Sequence, residues 1–187
     1  LGHSQQIKPN AFYEIVSSNN LVLDNQGSED NSTQIFINNR VKNRASQVWQ
    51  LRDLGDGYYQ INTPVADKSI DNNNTREPGP IIQWDNSSSN PNQAWKITKV
   101  GENTYTFTSA ANGLNIGFPD AGLPGEAVHQ LPPAPDSPNQ RWTLRESNIK
   151  IDFEALRGSS DEDWENETIF AINKEPGHTT YVPYPSV

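Results

Sequence analysis

The sequence of 187 residues contains no cysteine and no methionine, and only 33 % of its residues are apolar. Without cysteine there is no disulfide framework, no thiolate zinc site and no thiol nucleophile. No apolar run approaches the length that crosses a bilayer, so the sequence predicts no membrane span. Turn-forming residues dominate instead, with 22 Asn, 16 Ser and 12 Gly. This composition excludes a helical bundle, while five Trp, six Tyr and six Phe indicate a folded core.

Basic residues are also scarce, and 14 of them against 23 acidic residues give a net charge of −9. Such a field repels a phosphate backbone, so we do not expect a nucleic-acid partner. Residues 1–148 carry 11 basic and 15 acidic groups, whereas residues 149–187 carry 3 and 8. The chain begins at Leu1 without an initiator Met, which predicts a removed signal peptide or an excised piece. Together with the lack of cysteine, this favours an extracytoplasmic location (periplasmic, surface or secreted).

A repeat of about 46 residues runs through most of the chain. A Gln-x-Trp motif occurs three times, with spacings of 46 and 47 residues between its tryptophans, at Trp49, Trp95 and Trp142. A tyrosine recurs with the same period, at Tyr13, Tyr59 and Tyr105. These markers divide the chain into an N-terminal extension, 1–10, and three repeats, 11–57, 58–103 and 104–148.

Each repeat contains about four short runs of β-branched, aromatic and aliphatic residues, separated by clusters of Gly, Asn, Asp and Ser. No stretch in 1–148 shows a sustained helical period. A propeller of four-stranded blades has a similar period but needs at least four blades. Three repeats of four strands predict an all-β fold in which a six-stranded barrel is capped by three hairpins.

Three Gln-x-Trp motifs at this period resemble the ricin B-type lectins, which are β-trefoils, and the resemblance covers about residues 8–148. It implies a carbohydrate-binding domain. It also implies that the motif is mainly architectural, with the tryptophans in the core and the glutamines bracing neighbouring loops. The residues assigned to this structural role are Trp49, Trp95, Trp142, Gln47 and Gln140.

The resemblance further implies a sugar pocket made from an Asp after the second strand, an aromatic residue on the third strand and an Asn just before Gln-x-Trp. A flat π-surface and planar polar groups together suit the two faces of a sugar ring. The second repeat fits this pattern best, and its candidate sugar-binding residues are Asp71, Trp84, Asn92, Gln93 and Gln83. We expect a galactose- or arabinose-type glycan.

The other two repeats depart from the pattern. The first has Asp24 and offers Asn38 on its third strand, and both are secondary candidates. The third keeps Asn139 and places His129 near the stacking position, but Gly117 replaces the Asp. The second repeat also has a purely structural alternative, because an Asp followed by three Asn forms an Asx turn without any ligand.

The last 39 residues lie outside the repeat. A Gly/Ser break at residues 158–160 reads as a linker, and Trp164, Asn173 and His178 lie in a segment that resembles the start of family-two β-galactosidases. This resemblance implies that residues 149–187 are a linker and the truncated start of a jelly-roll domain of a larger glycoside hydrolase. Its catalytic glutamates would lie beyond Val187, so we expect no catalytic residue and no turnover in this chain. The alternative is a solvated acidic extension.

The sequence predicts no metal and no cofactor. Its three histidines lack ligand spacing, and no calcium loop, phosphate loop or nucleophile elbow is present. We therefore expect a monomeric carbohydrate-binding module that targets a larger, β-galactosidase-like enzyme to glycan. The alternative function is a β-trefoil that has lost sugar binding and acts as a structural or protein-interaction domain.

Overall fold

The computed structural model describes residues 7–74, 78–134 and 136–149. The proposed linker and hydrolase segment therefore lies outside the described residues, as do residues 1–6 of the N-terminal extension. Fourteen strands occur within the described part: β1 (Phe12–Ser17), β2 (Val22–Asp24), β3 (Phe36–Asn38), β4 (Trp49–Gly55), β5 (Tyr58–Thr63), β6 (Lys68–Asp71), β7 (Gly79–Pro80), β8 (Ile82–Asp85), β9 (Trp95–Gly101), β10 (Thr104–Ser109), β11 (Asn115–Gly117), β12 (Glu126–Ala127), β13 (His129–Leu131) and β14 (Trp142–Glu146). Three single 3₁₀ turns precede three of these strands, at Ala45–Gln47, Pro91–Gln93 and Pro138–Gln140.

Six of the strands close into a barrel. β1 pairs with β4, β4 with β5, β5 with β9, β9 with β10, β10 with β14, and β14 returns to β1, all antiparallel. Each repeat thus contributes two barrel strands. Closure leaves no free edge among these six strands, because every strand has a partner on both sides.

Three hairpins cap one end of the barrel, formed by β2 with β3, β6 with β8, and β11 with β13. Their centres meet in a ring of backbone hydrogen bonds. Ile35 N–H donates to Ile81 O (3.2 Å), Ile81 N–H to Val128 O (3.0 Å) and Val128 N–H to Ile35 O (2.9 Å). All three side chains are fully buried. The ring is the threefold centre of the cap, and the prediction of an all-β β-trefoil is confirmed.

The repeated residues fill the core. Trp49, Trp95 and Trp142 have no exposed surface, and each indole Nε1–H donates to the carbonyl of the residue before an Asp or Gly that ends a cap strand. These bonds measure 3.0–3.1 Å, and the acceptors are Leu23, Ile70 and Ile116. A buried indole needs such a partner for its N–H. The tryptophans therefore fasten each hairpin to the barrel.

The abundance of asparagine has a backbone cause. Among the described residues, nine non-glycine residues have positive φ, and six of them are Asn: Asn10, Asn20, Asn43, Asn73, Asn74 and Asn103. Asn tolerates the left-handed region better than most residues because its short side chain hydrogen-bonds locally. Many short strands need many tight turns, which explains the composition.

No helix among the described residues is long and apolar enough to span a membrane. The same part of the chain contains no group of three or more His, Cys, Asp or Glu side chains suited to a metal ion.

Candidate functional site

The second repeat has a small surface cleft of about 190 Å³ at the junction of β6, β8 and the turn before β9. Asp71 ends β6, Trp84 lies on β8, and Asn92 belongs to the 3₁₀ turn. The structure thus brings three of the predicted sugar-binding residues to one cleft. Its described lining is Asp71, Asn73, Asn74, Ile82, Trp84, Asn90 and Asn92.

Asp71 is the buried acid of this cleft, with only 5 % of its surface exposed. Its Oδ1 accepts from the Asn73 N–H (2.7 Å), and its Oδ2 accepts from Gln93 Nε2 (3.1 Å). Each carboxylate oxygen has two acceptor sites, and the described residues occupy one on each oxygen. Burial raises the pKa of the Asp71 carboxyl above its usual value of 3.8, while the hydrogen bonds from Gln93 and Asn73 lower it.

Trp84 is the aromatic side chain of the cleft and is 42 % exposed, unlike the three core tryptophans. An exposed aromatic ring that lines a cleft offers a flat apolar surface to a ligand. Asn92 is partly buried, and its side-chain amide has no hydrogen-bond partner among the described residues. A flat apolar face, an acceptor and an unpaired amide therefore face the same small space.

Gln93 does not line the cleft but supports it from beneath. It is fully buried, and its Nε2 also donates to Asp85 O (2.8 Å), while its Oε1 accepts from the Ser87 N–H (2.9 Å). Gln93 therefore fixes the Asp71 carboxylate relative to the loop that follows β8.

Gln83 lies away from this cleft. Its Oε1 accepts from Asn25 Nδ2 (3.0 Å), and its Nε2 donates to Ser28 O (3.0 Å) and Asp30 O (2.8 Å), all in the first repeat. Neighbouring residues of a strand point to opposite faces, so Gln83 and Trp84 do not share one surface. Its amide holds two repeats together.

The first repeat has a wider cleft of about 450 Å³, lined by Asp24, Asn38, Arg44 and Pro124 among others. Asp24 repeats the geometry of Asp71, because its Oδ1 accepts from the Gln26 N–H (2.6 Å) and its Oδ2 from Gln47 Nε2 (3.1 Å). Its Oδ2 also accepts from Asn38 Nδ2 (3.1 Å). Asn38 occupies the register position of Trp84, so this cleft has no aromatic residue at that position.

The third repeat lacks the acid that the clefts of the other two repeats contain. A Cβ added at Gly117 would lie 2.8 Å from Asn139 O and 2.8 Å from Leu131 Cδ1, so an Asp does not fit there. Asn139 Nδ2 donates to Phe118 O (2.8 Å), and Phe118 is buried edge-on against Trp142 at 6.4 Å. Asn139 and Leu131 thus occupy the space that an acid at position 117 would need.

His129 does not occupy the stacking position of this repeat. It lies opposite Gly117, as Ile82 lies opposite Asp71, whereas Leu131 has the register position of Trp84. The signal was available in the sequence, because Leu131 stands 11 residues before Trp142 just as Trp84 stands 11 before Trp95. Asn90 was also missed, although an Asn followed by Pro marks a turn start, and it caps the turn by accepting from the Asn92 N–H.

The closed barrel, the hairpin cap and the threefold repeat define the chain as a β-trefoil. A family model described as ricin-type beta-trefoil lectin domain-like matches residues 5–84, 45–131 and 91–154. The chain therefore belongs to the ricin-type β-trefoil lectin domain-like family. No curated protein matches the chain significantly.

Several solved structures share the fold. An exo-β-1,3-galactanase from Clostridium thermocellum is 30 % identical, with a TM-score of 0.68 over 76 % of this chain and 31 % of that one. The designed threefold symmetric protein ThreeFoil is 24 % identical, with a TM-score of 0.67 over 72 % of this chain and 98 % of that one. The lectin of Polyporus squamosus, solved with a sialylated galactose epitope, is 17 % identical, with a TM-score of 0.61 over 75 % of this chain and 50 % of that one. The last two likenesses show the fold alone.

Proposed function

We propose that this domain is a carbohydrate-binding module and that its working site is the second-repeat cleft. The observation that carries the proposal is the meeting of a buried carboxylate, a half-exposed indole and an unpaired amide, from Asp71, Trp84 and Asn92, on one small cleft. These three groups match the chemistry of a sugar ring, which presents an apolar face and a rim of hydroxyls.

In this proposal the second acceptor site on each carboxylate oxygen of Asp71 takes a hydrogen bond from one of two adjacent hydroxyls of one sugar. The Trp84 indole stacks on the apolar C–H face, and the Asn92 amide bonds a further hydroxyl. The small volume of the cleft suits one terminal sugar, and we propose a galactose- or arabinose-type glycan. A carboxylate acceptor is needed, so binding requires ionised Asp71.

We further propose that the module belongs to a larger, extracytoplasmic glycoside hydrolase of β-galactosidase type. Support comes from the resemblance of residues 164–178 to the start of family-two enzymes and from the galactanase, of which the matched region forms only 31 %. A module of modest affinity still helps such an enzyme, because a tethered second binding event on the same glycan is intramolecular. We expect the isolated 187 residues to be monomeric and to leave a nitrophenyl galactoside uncleaved.

A second candidate is a β-trefoil that has lost sugar binding and serves as a structural or protein-interaction domain. The Asx-type bond from the Asn73 N–H to Asp71 favours it, since that bond gives the Asp a structural role without a ligand. The absence of an acid at Gly117 in the third repeat is consistent with partial loss of binding.

An NMR titration of the ¹⁵N-labelled chain with galactose, arabinose and galacto-oligosaccharides distinguishes the two candidate functions. We expect shifts at the Trp84 indole and the Asn92 side-chain amide. Trp84→Ala should weaken binding by up to roughly tenfold, because an aromatic contact contributes about 0.5–1.5 kcal/mol. Tyr58→Ala, which removes a half-buried aromatic outside the cleft, is the matched control. No shift with any glycan, or equal losses in both variants, would overturn the sugar-binding proposal.

A further inference from the structure

One groove of this acidic domain has a lining in which basic side chains outnumber acidic ones. Four of the 11 basic residues in 1–148 line it, Arg40, Lys42, Arg44 and Arg145, with Glu14 and Glu146 as its acidic members. We call this lining the basic groove. Its volume is about 260 Å³, and its net charge is +2, whereas residues 1–148 together carry −4. A local field of opposite sign to the domain attracts anions to that place.

The basic side chains come from two separate segments that the barrel brings together. Arg40, Lys42 and Arg44 follow β3, and Arg145 lies on β14, which pairs with β1. Gln47 of the first Gln-x-Trp motif holds the first segment, because its Nε2 donates to Asn39 O (2.9 Å) and its Oε1 accepts from the Val41 N–H (2.8 Å). The loop that carries three of the charges is therefore fixed before any ligand arrives.

Glu14 organises two of the guanidinium groups. It is nearly fully buried, and its Oε2 accepts from Arg40 Nε (2.6 Å) and lies 4.0 Å from Arg145 Nη1. One carboxylate between two guanidiniums leaves a positive excess. Lys42 and Arg44 have no carboxylate partner among the described residues. Lys42 and Arg44, next to the two guanidinium groups that Glu14 holds in place, can therefore bind an anion.

The basic groove adjoins the first-repeat cleft. Val41 and Arg44 line both, whereas Asp24 and Asn38 line the cleft only. Pro124, from the third repeat, adds an apolar wall to the cleft. A ligand that spans the two therefore meets groups suited to hydroxyls in the cleft and cations in the basic groove.

We propose that the basic groove binds the carboxylate or sulfate of an anionic glycan while a neighbouring sugar of the same glycan occupies the first-repeat cleft. The choice of a glycan as occupant rests on the proposed function of the domain. A nucleic acid fits less well, because an extended polyanion would also face Asp24 and the negative field of the rest of the domain.

The test is calorimetric titration of the whole chain with trigalacturonic acid, a sulfated galactotriose and neutral galactotriose. We expect at least one acidic trisaccharide to bind more tightly than the neutral one, and added salt to remove the advantage. Comparison of the carboxylated with the sulfated trisaccharide shows which of the two anionic groups the basic groove binds. Arg44→Gln should weaken the acidic ligand about tenfold, as expected for a charged hydrogen bond. Lys99→Gln, which removes an exposed charge on β9, should leave binding unchanged.

The variants also separate this inference from the proposed function. Acidic-ligand binding that persists in Trp84→Ala but falls in Arg44→Gln and in the exposed Lys42→Gln supports the basic groove. Equal effects of Arg44→Gln and Lys99→Gln, with neutral binding at Trp84 intact, would overturn the groove and leave the proposed function standing. If the neutral glycan does not bind but the acidic ligand still binds in an Arg44-dependent way, the proposed function of the second-repeat cleft is overturned and the basic groove stands. Equally tight, Arg44-dependent binding of an acidic hexapeptide or an oligonucleotide would overturn the glycan assignment.

Discussion

Replacing Gln93 by Glu places a second carboxylate against Asp71 and tests how the second-repeat cleft is held. The substitution exchanges the Nε2 donor, 3.1 Å from Asp71 Oδ2 and 2.8 Å from Asp85 O, for an oxygen. Two unit charges about 3 Å apart at an effective dielectric constant near 20 repel by roughly 5 kcal/mol. The pair avoids this repulsion by binding one proton, and a protonated Glu can donate to Asp71 again.

At neutral pH the variant therefore loses folding free energy equal to the free energy needed to keep that proton bound. Each pH unit above the ordinary Glu pKa near 4.3 costs about 1.4 kcal/mol, which gives roughly 4 kcal/mol at pH 7. The sign follows from proton counting, because the folded state binds one proton more than the unfolded state. The free energy of unfolding of Gln93→Glu should thus fall as pH rises from about 4 toward neutral.

Gln140→Glu is the internal control, because Gly117 replaces the acid in the third repeat. Gln140 Nε2 donates to Pro132 O (2.9 Å), and its Oε1 accepts from two N–H groups, so no carboxylate pair forms. We expect a loss of about 1–3 kcal/mol with a shallower pH slope. Urea unfolding from pH 4 to pH 8 measures both variants. Equal losses with the same pH dependence would refute the assigned coupling of Gln93 to Asp71.

Three further predictions follow from the same contacts. Gly117→Asp should lower stability without creating a sugar site, because its Cβ meets Asn139 O at 2.8 Å, and thermal unfolding with a glycan titration checks this. Sugar affinity should decline on acidification at a higher pH than an ordinary Asp would dictate, since burial raises the Asp71 pKa; a pH-independent affinity down to pH 4 would contradict it. Phe118→Ala should cost about 3–5 kcal/mol because a buried ring against Trp142 is removed, and a loss below 1 kcal/mol in urea unfolding would argue against that contact.

The fold could be predicted because a threefold barrel uses the same residue types at the same places three times. Trp49, Trp95 and Trp142 fill equivalent core positions, so the spacing between them was enough to predict three equivalent repeats. The strand pattern was similarly readable, although the two-residue strands β7 and β12 have no sequence signal of their own. They form because the cap brings their backbones beside β13 and β3.

The site could be predicted only in part. The family pattern predicted Asp71, Trp84 and Asn92 as sugar-binding residues, and the structure brings these candidates to one cleft. Gln83 lies outside the cleft because successive residues of β8 point to opposite faces, and its amide bonds the first repeat instead. The basic groove depends on Arg145 meeting a loop about 100 residues earlier, and such a contact comes from barrel closure rather than from any local motif.

The most direct test of the central claim is the titration of the second-repeat cleft by NMR with a neutral galacto-oligosaccharide. Sugar binding at that site predicts saturable shifts at the Trp84 indole and the Asn92 amide. The Asn92 shifts should need up to about ten times more ligand in Trp84→Ala and be unchanged in Tyr58→Ala. Unchanged spectra across the galactose and arabinose series, or saturable shifts that survive Trp84→Ala undiminished, would contradict it.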